Sequence, residues 1–214
     1  FYGYTTIPKH LRDIIVTDGS WQSSDDGPYV YSDFIDGQTY DARREMPGWD
    51  RVGFQADDWH AVVTNPADTD WLWWNGRTGE SELRTREATE PRLVAQMNEP
   101  IRVVRELKPV SISEPQPGVF VFDLGQNIAG WCRLKLHAPS GATVRLRHAE
   151  VLQPDGLVYV SNLRTAQATD TYIARGSGEE TFEPQMTQHG FRFVEVTGLA
   201  KRPQLDDLVG CVVR

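Results

Sequence analysis

Apolar and polar side chains alternate through most of the second half of the chain. In GWCRLKLHA the apolar positions are Cys132, Leu134 and Leu136, and in ATVRLRHAEVL they are Val144 and Leu146. IRVVRELK, GVFVFDLG, TDTYIAR, FRFVEVTG and DLVGCVVR repeat the pattern. A period of two places one set of side chains against a core and the other toward solvent, which predicts strands. Turn chemistry separates them at Pro115 to Gly118, Pro139 to Gly141, Pro154-Asp155-Gly156 and Gly176 to Gly178. No stretch between these turns carries a helical stripe with caps. The pattern predicts an all-β protein, an antiparallel β-sandwich or jelly roll.

The first part is less regular. DIIVTDGSW and PYVYSDFIDGQTYDAR hold strand-like runs broken by Gly and Asp, consistent with a partial second β-module at the N-terminal end. Residues Thr64 to Pro91 combine Pro, Gly, Asn, Asp and charge and read as a linker or a long excursion between strands. The expected division is 1–63, the closing part of a jelly-roll-like module; 64–92, a Trp-rich loop or linker; and 93–214, a β-sandwich.

The 214 residues suffice for one large β-domain or two small ones. Acids outnumber bases, 30 to 22, for a formal charge of −8, and the bases are scattered. Nucleic acid is therefore not an expected partner, because phosphate binding needs Lys and Arg gathered on one face. No apolar run reaches the roughly 20 residues that span a bilayer, so no membrane partner is expected. The chain begins at Phe1, with neither a Met nor a signal pattern, and the compartment, cytoplasm or exterior, stays open. Cys132 and Cys211 read as buried thiols, with a disulfide as the alternative.

The standard signatures of nucleophilic, metalloprotease and nucleotide chemistry are missing from the sequence. Three constellations remain. Asp33, Asp36 and Asp41 form the densest carboxylate group; they read either as a solvated acidic surface or as a site for Ca²⁺, which takes carboxylate and carbonyl oxygens. Three of the seven tryptophans, Trp71, Trp73 and Trp74, crowd into DTDWLWWNG beside Asp70, Asn75 and Arg77. An aromatic plane with a few polar groups suits a sugar, whose ring has an apolar C–H face and a hydroxyl rim; the same tryptophans would equally cover the sandwich or pack on a neighbouring domain. The third group, His148, Glu150, Asn162, Arg164, Asp170, His189 and Arg192, lies in or beside half-buried segments. Buried charges must be paired. These residues read as a structural network, with Arg164 paired to Glu150 or Asp170, or as a polar ridge facing a ligand or an adjacent active site.

DLGQNIAGWCRLKL, LRHAEVLQPDGLVYVSNLRTAQATDTY and FEPQMTQHGFRFVEVTG closely resemble the β-sandwich that precedes the catalytic barrel of bacterial α-L-rhamnosidases, glycoside hydrolase family 78. PIRVVRELKPVSI looks like the strand that opens that sandwich. VTDGSW, GPYVYSDFIDGQTYDAR and GWD resemble the closing part of the family's rhamnose-binding jelly roll, carbohydrate-binding module family 67. The resemblance implies a non-catalytic portion of an enzyme that removes terminal α-L-rhamnosyl residues, with L-rhamnose-containing glycans and an (α/α)₆ barrel as partners. That barrel carries an inverting acidic pair, and no catalytic residue carries over to this chain. The resemblance also implies Ca²⁺ at a rhamnose site. A lectin-like protein without an enzyme attached is the rival expectation.

Overall fold

The computed structural model describes residues 18–62 and 96–214, together with the backbone of two strands at 70–74 and 81–85. In chain order the strands are β1 (Gln22–Ser23), β2 (Tyr29–Asp33), β3 (Gly37–Asp41), β4 (His60–Ala61), β5 (Asp70–Trp74), β6 (Ser81–Thr85) and β7 (Val103–Leu107). They continue with β8 (Ser111–Gln116), β9 (Val119–His137), β10 (Thr143–Ala149), β11 (Thr169–Ile173), β12 (Glu179–Phe182), β13 (His189–Thr197) and β14 (Leu208–Val213). The only helical pieces among the described residues are short 3₁₀ turns. The chain is all-β, as the alternation predicts.

Two compact units emerge: Phe1–Asp25 with Gly48–Met97, and Asp26–Pro47 with Asn98–Arg214. In the first, β1 pairs with β4 and β5 pairs antiparallel with β6. The Trp-rich stretch that reads as a loop thus contains a hairpin. Its register runs from Asp70 opposite Thr85 to Trp74 opposite Ser81.

The second unit is a ten-stranded curled sheet in the order β2-β3-β11-β10-β13-β9-β14-β7, with β8 and β12 also on β9. The 19-residue β9 is its spine, because different stretches of it pair with β8, β12, β13 and β14. Its inward set includes Phe120, Phe122, Leu124, Ile128, Cys132, Leu134 and Leu136, all buried in one apolar cluster with Leu146, Phe191 and Val194. Phe122 and Phe191 are completely buried; each contributes roughly 1.5–3 kcal/mol of transfer free energy. Cys132 and Cys211 are buried free thiols. Burial raises both their pKa values, that of Cys211 to about 11.

One feature departs from a purely antiparallel sandwich: β3 runs parallel to β11, with Thr39 beside Thr171. The β2–β3 hairpin supplies two strands to the second unit's sheet. Gly37 permits this. Its φ is +113°, and a Cβ there would collide with the Thr169 carbonyl oxygen, so only glycine fits.

Candidate functional site

The inward face of β10, β11 and β13 interrupts its apolar pattern at three residues. His148 and Asp170 are fully buried and His189 is nearly so. His189 Nε2 lies 3.3 Å from both carboxylate oxygens of Asp170. Asp170 also accepts a 3.0 Å hydrogen bond from the Gln38 backbone N–H, tying β3 to β11. The His148 ring stacks on His189 at 4.3 Å and meets Phe191 edge-on at 4.5 Å. Its Nδ1 lies 3.1 Å from the Ala168 carbonyl, which makes Nδ1 the protonated nitrogen. Burial, and then the neighbouring His189, push the His148 pKa down to about 3. His148 is therefore a neutral imidazole.

These three are the residues among those described whose potential ligand atoms gather within 4.8 Å. Asp33, Asp36 and Asp41 do not form such a group among the described residues. Asp33 accepts from the backbone N–H groups of Ile35 and Asp36, closing its own turn. Asp36 accepts from Gln167 N–H at 3.0 Å, and Asp41 closes on the Arg43 guanidinium at 2.8 Å. Each carboxylate is engaged by donors of the protein itself, with Asp33 and Asp36 in one turn and Asp41 on Arg43.

The expected polar network therefore divides. His148, Asp170 and His189 form it. Arg192 belongs to a separate bidentate pair with Asp123 at 2.7 and 2.8 Å, which holds the Asp123 carboxyl below its ordinary pKa. Glu150, Asn162 and Arg164 are exposed. The pairing of Arg164 with Glu150 or Asp170 is thus corrected: Arg164 stands in a loop with φ +58°, away from the sealed carboxylate. Asp70, Trp71, Trp73 and Trp74 lie on β5, whose side chains fall outside the described residues, as do Asn75 and Arg77.

Two further carboxylates and a cleft are not named by the sequence pattern. Glu180 accepts from Tyr172 Oη and from the backbone N–H groups of Arg175, Gly176 and Ser177. Burial works against its charge, yet those donors hold its pKa below the ordinary value. Glu183 joins the Trp131 indole N–H at 2.9 Å to Arg133 at 2.6 Å. A cleft of about 360 Å³ is floored by Arg145 and Arg147 of β10 with Thr169 and Thr171 of β11, and walled by Arg164 and Gln167. The alternation of Val144 and Leu146 with Arg145 and Arg147 signals that both arginines leave the core.

Residues 113–214 match the family model of the bacterial α-L-rhamnosidase concanavalin-like domain, and residues 5–105 match that of the α-L-rhamnosidase N-terminal domain. The chain belongs to the α-L-rhamnosidase family. An α-L-rhamnosidase of Streptomyces avermitilis is 45% identical over 199 residues, covering 92% of this chain and 17% of the relative. One of Formosa agariphila is 34% identical over 209 residues, covering 97% and 20%. The solved structure of the Streptomyces avermitilis α-L-rhamnosidase complexed with L-rhamnose superposes with a TM-score of 0.78 at 43% identity. That superposition covers 94% of this chain and 17% of the other. An α-L-rhamnosidase from Dictyoglumus thermophilum gives 0.78 at 36% identity, covering 94% and 20%. The chain thus spans about a fifth of the length of the α-L-rhamnosidases it matches. It corresponds to their non-catalytic N-terminal and β-sandwich domains.

Proposed function

We propose that these domains serve a longer α-L-rhamnosidase that hydrolyses terminal α-L-rhamnosyl residues, and that the sandwich braces its catalytic (α/α)₆ barrel. The supporting observation is the near-complete match of this chain to a small part of much longer rhamnosidases. The surface agrees with a bracing role. Phe34, Ile35 and Met186 are more than half exposed. They are drawn together because Ser32 Oγ donates to the Met186 carbonyl at 3.1 Å and Thr187 Oγ1 donates to the Phe34 carbonyl at 3.4 Å. A grouped apolar patch of this kind marks a contact surface. Rhamnose binding belongs to the proposal as a function of the Trp-rich β5 segment, where Asp70, Trp71, Trp73, Trp74, Asn75 and Arg77 supply the residue types a sugar requires.

The test is rhamnose release from an aryl α-L-rhamnoside by the full-length protein. Release is expected; a full-length protein inert toward every α-L-rhamnoside offered overturns the proposal.

A further inference from the structure

The outer face of the second unit's sheet carries the cleft of about 360 Å³. Strand register sets its floor. Tyr31 of β2 stands beside Thr39 of β3, Thr39 beside Thr171 of β11, and Thr171 beside Arg145 of β10. Directly paired residues share a sheet face, so one row runs tyrosine, threonine, threonine, arginine across four strands. The next row places Arg147 beside Thr169. The loop carrying Arg164 and Gln167 forms the wall, and Asp36 fixes it: Asp36 Oδ1 accepts from Gln167 N–H, and the Asp36 carbonyl accepts from Thr169 N–H at 2.8 Å.

Three guanidinium groups line this space in a chain whose net charge is −8, and no carboxylate lines it. Elsewhere in the unit, Arg133, Arg175, Arg192 and Arg202 each close on a carboxylate at 2.6–2.9 Å, while Arg102 and Arg105 of β7 and its approach stand singly among the described residues and do not share this cleft. In the cleft, Arg147 approaches Glu195 only to 4.0 Å, and Arg145 and Arg164 have no acidic partner among the described residues. Arg164 is also held with φ +58° and ψ −110°, a backbone conformation that suits glycine. Strain of this kind collects at binding sites, where the surrounding structure over-determines it.

We propose that this cleft binds a carboxylate-bearing sugar, a uronate unit of the glycan. The guanidinium groups supply charge-assisted and bidentate donors for a carboxylate. The Thr39 and Thr171 hydroxyls and the Gln167 amide match a rim of sugar hydroxyls, while the Tyr31 phenol and the Thr169 hydroxyl, which already donate to Asp36 Oδ2 and the Gln167 carbonyl, can only accept. Val160 and Ala166 are the only aliphatic lining residues, so an acidic peptide would find little to hold its side chains. The space exceeds that of a bare oxyanion and suits one or two sugar rings. That the ligand is a saccharide rests on the rhamnosidase reading; that it is anionic rests on the arginines alone.

The probes are methyl β-D-glucuronide and methyl β-D-glucoside, which differ only in the C6 carboxylate, applied to the purified protein by ligand-observed NMR with sodium sulfate as competitor. The glucuronide should bind about tenfold or more tighter than the glucoside, the worth of one good charged hydrogen bond. Arg164→Gly, which keeps a residue suited to positive φ, should retain the melting temperature and lose most of that preference, as should Arg145→Ala. Equal binding of the two glycosides, or a preference intact in both variants, overturns the proposal, and so does full displacement by millimolar sulfate, which reduces the site to a simple anion site. Rhamnoside hydrolysis by the full-length protein is measured separately, so loss of this inference leaves the family reading standing.

Discussion

His189 Nε2 sits equidistant, at 3.3 Å, from the two carboxylate oxygens of Asp170, and no solvent reaches that carboxylate. The pair joins β13 to β11, two strands separated by β10 in the sheet. Because Asp170 also receives the Gln38 N–H, one buried carboxylate links the hairpin from the N-terminal part of the chain to the centre of the sandwich.

Removing that carboxylate strands a buried imidazole and a buried amide donor. Asp170→Ala should destabilise the protein by about 3 kcal/mol or more, the usual result of breaking a buried pair. Urea unfolding checks this, and an unchanged midpoint would show that the pair holds nothing together.

Acid should weaken the fold through His148. Its pKa is depressed to about 3 in the folded protein against 6.5 when free. The unfolded chain therefore binds the extra proton first. Stability is full above about pH 6.5 and falls as pH drops toward 3, at up to about 1.4 kcal/mol per pH unit. His148→Gln should flatten the stability profile between pH 6.5 and 4.5. Below that, Asp123, Glu180 and Glu183, whose pKa values are lowered by their donors, lose further stability as they protonate. A wild-type profile flat down to pH 4.5 would contradict the neutral buried imidazole.

Gly37 and Gly178 make a matched test of backbone approach. Both have positive φ, +113° and +104°, but a Cβ at Gly37 meets the Thr169 carbonyl while one at Gly178 meets nothing within 4 Å. Gly37→Ala should cost clearly more than Gly178→Ala, and more than about 1 kcal/mol. Equal losses in thermal denaturation would mean that β3 does not need its close approach to β11.

Arg164→Ala should leave stability within about 0.5 kcal/mol of the unsubstituted protein, as an exposed residue outside any network does. A loss of about 3 kcal/mol would restore the buried pairing that its sequence context suggests.

The sandwich is legible in the sequence because its core obeys one rule. Cys132, Leu134 and Leu136 face inward by alternation alone, and His148, Asp170 and His189 announce themselves as polar residues inside apolar runs. Contacts between distant segments are not encoded that way. Asp123 and Arg192 are 69 positions apart, and nothing local in either segment names the other. The direction of β3 beside β11 is equally invisible, since parallel and antiparallel neighbours present the same alternation. Arg164 was misplaced for a related reason: its neighbours look half-buried, but the loop turns at positive φ and carries it to the surface. The hairpin of β5 and β6 was hidden by Gly, Asn and charge, which mark turns and strand edges alike.

The most direct test asks whether these 214 residues break a glycosidic bond unaided. The purified chain, shown by circular dichroism to be β-rich and to unfold cooperatively, should leave an aryl α-L-rhamnoside intact over a time in which the proposed longer enzyme is expected to consume it. Turnover by the isolated chain, removed neither by further purification nor by a different expression host, would contradict the assignment of these domains to the non-catalytic part of the enzyme.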